Sequence, residues 1–131
     1  MHFSQQLKMM NEKVHAEIRD SFRADFYAPL DYIAGHKYAR AALEKLFEVP
    51  FDKYVEQKNL TSYLIEAEKQ LDTLVELGAV KSTGTTLNPK YSITLKGHDA
   101  LVTYQILYDE AKQKRSNKEA RQLVRMWLRQ I

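Results

Sequence analysis

The sequence predicts a mainly helical, single-domain fold with one β-hairpin and additional helices at both ends. A helical apolar pattern stops at Gly78, the residue type that most easily adopts a positive φ after a last helical turn. A turn-rich stretch between two short alternating segments follows, and a new helical pattern begins at Thr94. Amphipathic helical patterns also occupy residues 1–28 and 116–131, which flank the central unit at 31–111.

The helix that ends at Gly78 is predicted to begin at Leu60. Its apolar residues recur at helical spacing: Leu64, Ala67, Leu71, Leu74 and Val75. Residues 58–61 have the composition of a polar turn, and Thr61 or Ser62 is expected to cap the helix. The two hairpin strands are predicted near residues 79–82 and 90–94, where apolar and polar side chains alternate.

Residues 31–47 are predicted to form one continuous helix with a single packed side. The side chains of that face are Tyr32, His36, Ala39, Leu43, Leu46 and Phe47. Val49 and Pro50 end the helix, and a short segment leads to the turn before Leu60. Two helices joined in this way form a helix-turn-helix, whose second helix would read DNA if the domain binds DNA.

Helix, hairpin and helix in this order resemble a winged helix-turn-helix. The string ELGAVKS…KYSITLKGHDAL is similar to the helix end, wing and following helix of MarR-type and PadR-type transcriptional regulators. The resemblance covers residues 31–111. It implies a sequence-specific DNA-binding regulator that acts as a homodimer.

Under this interpretation, two sets of side chains would contact DNA. Those off the apolar face of the second helix would approach base edges, where Gln suits adenine and Glu accepts from cytosine N4: Thr61, Ser62, Glu66, Lys69, Gln70 and Thr73. Cations at the wing and on the last helix would meet phosphate: Lys81, Lys90, Lys96, Arg121, Arg125 and Arg129.

The distribution of charge leaves a second interpretation open. The formal charge is +3, but residues 49–80 hold three basic and six acidic side chains, whereas 111–131 hold seven basic and one acidic. An acidic reading helix repels phosphate. The alternative is therefore a protein-protein interaction module whose acidic helix binds a basic or DNA-binding protein through Glu66, Glu68, Asp72 and Glu76.

The C-terminal segment is predicted to be a basic amphipathic helix. Ser116 and Glu119 fit the S-x-x-E capping box at its start. Its apolar side consists of Ala120, Leu123, Val124, Trp127 and Ile131. Its basic side consists of Lys118, Arg121, Arg125 and Arg129. Three roles stay open for it: packing on the body or on a second copy, contact with DNA phosphate, and attachment to an anionic membrane surface, of which the last is the least favoured.

The N-terminal segment carries a long apolar stripe at helical spacing before Pro29 breaks the pattern. Its members are Phe3, Leu7, Met10, Val14, Ile18 and Phe22. A helix of this kind needs a partner surface, so we predict that this stripe and the Trp127 face build a two-fold homodimer. The alternative is that both helices fold back onto their own domain.

Several function classes are not indicated. The chain has no cysteine, its four histidines are scattered without metal-ligand spacing, and no phosphate-cradling glycine loop occurs, so neither enzyme activity nor a cofactor or metal is expected. No apolar run of about 18 residues and no signal-peptide core are present, which predicts a cytoplasmic protein. The spacing of Tyr104 and Tyr108 favours core packing over a small-molecule pocket beneath the wing.

Overall fold

The computed structural model describes residues 27–62 and 64–130, which form six helices and one antiparallel sheet. In chain order these elements are α1 (Ala28–Gly35), α2 (Lys37–Phe47), β1 (Val55–Glu56), α3 (Lys58–Thr61), α4 (Ile65–Glu76), β2 (Val80–Gly84), β3 (Pro89–Ile93), α5 (Leu95–Lys112) and α6 (Asn117–Arg129). The prediction of a mainly helical fold with a β-hairpin is confirmed. The helix predicted over residues 1–28 and its apolar stripe lie outside the described residues.

The hairpin forms where the sequence predicts it, and one short strand joins it. Val80 pairs with Ile93 at the base and Gly84 with Pro89 at the tip. Gly78 and Gly84 both have positive φ, 78° and 90°, as the turn positions require. The strand β1 is not predicted from the sequence; it pairs antiparallel with β3, and the strand order is β1-β3-β2.

The prediction of one helix over residues 31–47 is wrong, because the chain breaks at His36. That residue has φ −132° and ψ 100°, an extended conformation between α1 and α2. Two side chains satisfy backbone groups at the break. Arg40 Nη1 donates to the Ile33 carbonyl at 2.6 Å, and Gln70 Oε1 accepts from the Ala39 amide at 2.9 Å.

The helix predicted to start at Leu60 is divided in two. Leu60 is buried in the short helix α3, Ser62 turns the chain in a left-handed conformation at φ 50°, and α4 begins at Ile65. Neither Thr61 nor Ser62 caps α4, since its N-cap is Leu64 and no side chain bonds there. Leu60 and Leu64 therefore do not share one packed face, and Leu64 is exposed.

The last two helices begin where the sequence predicts them, and each has a side-chain cap. Thr94 Oγ1 accepts from the Gly97 amide at the start of α5, and Ser116 and Glu119 form a complete capping box at the start of α6. All six helices contribute side chains to one core, which includes Leu30, Ile33, Leu43, Leu60, Leu71, Leu74, Ile93, Leu101, Val124 and Trp127. The Trp127 face thus packs within its own chain, and its part in a dimer interface stays a prediction.

Candidate nucleic-acid interface

The outward face of α4 is the part of the predicted reading helix that solvent reaches. Ile65 is 71% exposed, and the other exposed side chains on α4 are Glu66, Lys69, Asp72 and Glu76. Glu68 and Thr73 lie half-buried at the two edges of this face. Four carboxylates surround one ammonium group, so α4 presents a net charge of −3.

Two of the predicted base-contacting residues are not available to DNA. Gln70 is 7% exposed, because its amide joins α4 to the start of α2 through the bond to the Ala39 amide. Thr61 is 3% exposed, and its hydroxyl donates to the Gln57 carbonyl at 3.1 Å within α3. Assigning Gln70 and Thr61 to base contacts was therefore wrong, whereas Ser62 is exposed at the turn.

We expect Gln70→Ala to lower the stability of the fold by about 1–3 kcal/mol, because the buried Ala39 amide would lose its acceptor. Chemical unfolding followed by circular dichroism measures this loss. Lys69→Ala, one residue away on the exposed side, should stay within about 0.5 kcal/mol of the parent. Equal stability of the two variants would contradict a structural role for Gln70.

The hairpin presents one lysine near its base, Lys81, and one near its tip, Lys90. Lys81 is exposed next to the start of β2, and Lys90 lies opposite Glu56 in the sheet. Lys96 lies beside Gly78, with its Nζ 3.6 Å from the position that a Cβ would take there. The tip itself carries no charge, and Leu87 there is 98% exposed. Positive charge at the predicted wing is therefore divided between its two ends, with Lys81 paired with Ser92 near the base and Lys90 paired with Thr83 near the tip.

Two arginines of α6 adjoin one edge of α4. Arg125 and Arg129 line a cavity of about 550 Å³ together with Thr73 of α4 and the surface of α1. The Arg125 guanidinium lies 3.7 Å from the position of a Cβ on Gly35, so the glycine leaves room for the side chain against α1. Arg125 and Arg129 of α6 and the Thr73 edge of α4 thus border the same cavity.

Arg121 belongs to a different cavity. It lines a cleft with Arg40 of α2 and Tyr104 of α5, whereas Arg129 lines the cavity beside α1. The cations of α6 predicted to act as one phosphate-binding row are therefore divided between two surfaces. Sequence reasoning missed Arg40 as a site residue, because the side chains around it come from three separate helices.

The opposite edge of α4 imposes a negative potential on the sheet. The pKa of Tyr91 is raised, first by burial and then by the Asp72 and Glu68 carboxylates. The Tyr91 hydroxyl donates to Gln57 Oε1 at 2.9 Å. Tyr91 is therefore a buried neutral phenol, and the α4 edge that faces it is acidic.

Comparisons of the chain with models of protein families, with curated proteins and with solved structures find no match. Over residues 27–62 and 64–130, no three His, Asp or Glu side chains are grouped to hold a metal ion. In the same ranges, no helix has the length and apolar character needed to cross a membrane.

Proposed function

We propose that this chain is a winged helix-turn-helix domain that binds double-stranded DNA and regulates transcription as a homodimer. Three residues separate α3 from α4, which is the connection length typical of a helix-turn-helix. The β2–β3 hairpin follows α4 directly, where the resemblance to MarR-type and PadR-type regulators places a wing. The helix α4 is therefore the element that would enter the major groove.

The observation that supports DNA binding best is the position of Arg125 and Arg129 beside α4. A helix in the major groove is flanked by phosphates of both strands, and cations at its edge contact them. Because both arginines border the same cavity as Thr73, they lie where a backbone beside α4 would pass. This arrangement offers the positive charge that α4 itself lacks.

The charges of α4 determine what kind of DNA binding is expected. Lys69 lies at the centre of the exposed face and suits guanine O6 or N7, while Glu66 accepts from cytosine N4. The remaining carboxylates repel phosphate on any sequence. We therefore expect weak non-specific binding and a strong dependence on the bases that meet Lys69 and Glu66.

A salt titration of the full chain with mixed-sequence duplex DNA, followed by fluorescence anisotropy, tests the proposal. Affinity should fall steeply with salt, and replacing both Arg125 and Arg129 by Gln should flatten the logarithmic slope by about 0.9 for each phosphate that is no longer neutralised. The control removes two charges elsewhere, through Lys112→Gln and Lys118→Gln. Absence of binding even at low salt, or equal effects of the two double variants, would reject this interface.

A second candidate function, recognition of a basic protein, is favoured by the apolar exposure around the same carboxylates. Ile65 is 71% exposed and Leu64 47% exposed at the start of α4. Apolar side chains next to Glu66 and Glu68 match a partner that presents Lys or Arg around an apolar anchor. A DNA backbone bound here would offer no apolar group to the side chains of Leu64 and Ile65.

One triple variant separates the two functions. Reversing Glu66, Glu68 and Asp72 to Lys should strengthen non-specific duplex binding under the DNA proposal, because it removes repulsion from α4. Under the protein proposal, the same variant should lose capture of its basic partner in a pull-down. If neither binding changes, α4 is not the working surface of the chain.

A further inference from the structure

A second cavity lies between α2, α5 and α6, and we name it the tyrosine cleft. Its volume is about 430 Å³, within the range of small-molecule sites. The side chains that line it are Arg40, Glu44, Tyr104, Gln105, Tyr108, Asp109 and Arg121. Most of these are polar or charged, so the tyrosine cleft suits a polar ligand.

The Tyr104 hydroxyl is a buried group with no hydrogen-bond partner among the described residues. Tyr104 is 4% exposed, and burial raises the pKa of its phenol, so that the group is a neutral donor near pH 7. The charges that act on this hydroxyl include Arg40, Arg121 and Glu44, all of which line the tyrosine cleft. Buried hydroxyl groups in proteins usually have a hydrogen-bond partner. Because Tyr104 lines the tyrosine cleft, a ligand in the cleft could supply the missing acceptor.

The charged side chains of the tyrosine cleft are not paired with one another. In the part of the chain that the structure describes, no ion pair within 4.0 Å joins Arg40 or Arg121 to Glu44 or Asp109. Arg40 is nevertheless fixed, since it donates to the Ile33 carbonyl and its guanidinium lies 5.0 Å from the centre of the Tyr104 ring. Two cations and two anions thus face one small cavity without an ion pair between them, and Arg40 alone is held by backbone carbonyls, those of Ile33 and Ala34.

We propose that the tyrosine cleft binds a small zwitterion of the α-amino-acid type. The carboxylate of this ligand accepts from the Tyr104 hydroxyl and pairs with the guanidinium groups of Arg40 and Arg121. Its ammonium group pairs with Glu44 and Asp109. The proposal does not depend on DNA binding.

The balance of charge in the cleft selects this class of ligand. A simple anion would leave the Glu44 and Asp109 carboxylates facing it, and a simple cation would meet two guanidinium groups. A zwitterion can pair its carboxylate with the two guanidinium groups and its ammonium group with the two carboxylates. Asp109 follows Tyr104 by five residues on α5, which is about 1.4 helical turns, so the Tyr104 hydroxyl and the Asp109 carboxylate approach the ligand from different positions along the helix.

Isothermal titration of the full chain with L-glutamine tests the proposal. Two analogues each lack one charge of L-glutamine: 4-carbamoylbutanoate, its deaminated form, has no ammonium group, and 4-aminobutanamide, its decarboxylated form, has no carboxylate. We expect saturable binding of L-glutamine and at least tenfold weaker binding of both analogues. Absence of binding at about 10 mM L-glutamine, or equal affinity for either analogue, would overturn the proposal.

Substitution of the two tyrosines distinguishes a binding role from a packing role. Tyr104→Phe should weaken L-glutamine binding at least tenfold without lowering the melting temperature, because the lost hydroxyl has no protein partner among the described residues. Tyr54→Phe is the control, since Tyr54 lies outside the tyrosine cleft at 37% exposure and the variant should keep its affinity. A Tyr104→Phe variant that binds L-glutamine as tightly as the parent would refute the assignment. Arg121→Gln, an exposed position, should weaken binding without affecting the fold.

Discussion

Gly97→Ala is expected to destabilise the fold by about 3 kcal/mol or more, although alanine is ordinarily the better helix former. A Cβ at Gly97 would lie 2.1 Å from the Ala79 carbonyl oxygen and 3.0 Å from its carbonyl carbon. That carbonyl cannot move freely, because it accepts from the Thr94 amide at 3.0 Å. Thermal unfolding followed by circular dichroism should give a melting temperature lower by about 10 °C or more.

Gly35→Ala is the matched control for this substitution. Gly35 is also helical, but the atoms nearest to the position that its Cβ would take belong to the flexible Arg125 guanidinium, at 3.7 Å. The alanine there should leave stability unchanged or raise it by up to about 1 kcal/mol. If both alanine variants lost stability equally, the close approach of α5 to Ala79 would be contradicted.

The contact at Gly97 matters because it belongs to the junction that positions α4 against the hairpin. Thr94 Oγ1 donates to the Gly78 carbonyl at 2.6 Å and accepts from the Gly97 amide at 3.2 Å. One threonine therefore links the end of α4, the end of β3 and the start of α5. A change that opens this junction should alter the angle between α4 and the proposed wing.

The elements that sequence predicts well are those set by short-range chemistry. Gly78 ends α4 because positive φ is inexpensive for glycine, and Thr94 and Ser116 each satisfy an amide three residues ahead. The hairpin lies between these signals, with Val80 paired with Ile93 at its base. Each of these features depends on a few consecutive residues, and each lies where the sequence predicts it.

The elements that sequence misses depend on contacts between distant residues. The break at His36 is supported by Gln70, which bonds the Ala39 amide from another helix. The strand β1 is two residues long and exists through its pairing with β3. Local spacing does not identify Gln70 or β3 as the partner. Periodicity alone therefore predicts one helix over residues 31–47 and no strand at β1.

The candidate site was predictable only in its residue types. The sequence identifies Arg121, Arg125 and Arg129 as one basic side of α6, and the structure keeps all three exposed. How α6 packs then assigns Arg121 to the tyrosine cleft and Arg125 and Arg129 to the edge of α4. A helical wheel describes one helix and contains no information about which neighbours border each side.

Trp127→Ala is expected to lower the free energy of unfolding by about 3–5 kcal/mol, because it removes a large side chain from the core. Trp127 is 7% exposed and packs in the same core as Val124 and Leu128. Urea unfolding monitored by circular dichroism measures the loss. Met126→Ala, on the exposed side of the same helix at 47% exposure, should cost less than about 1 kcal/mol.

The dependence of this loss on protein concentration separates packing within one chain from packing between two. If Trp127 stabilises its own chain, the destabilisation should be the same over about a hundredfold range of concentration, because the substitution leaves any association step unchanged. If the residue lay between two copies, the parent alone would become more stable at higher concentration.

The proposed homodimer then depends on the apolar stripe of residues 1–28, so light scattering should find that Met10→Glu and Val14→Glu together abolish association while Met126→Ala preserves it.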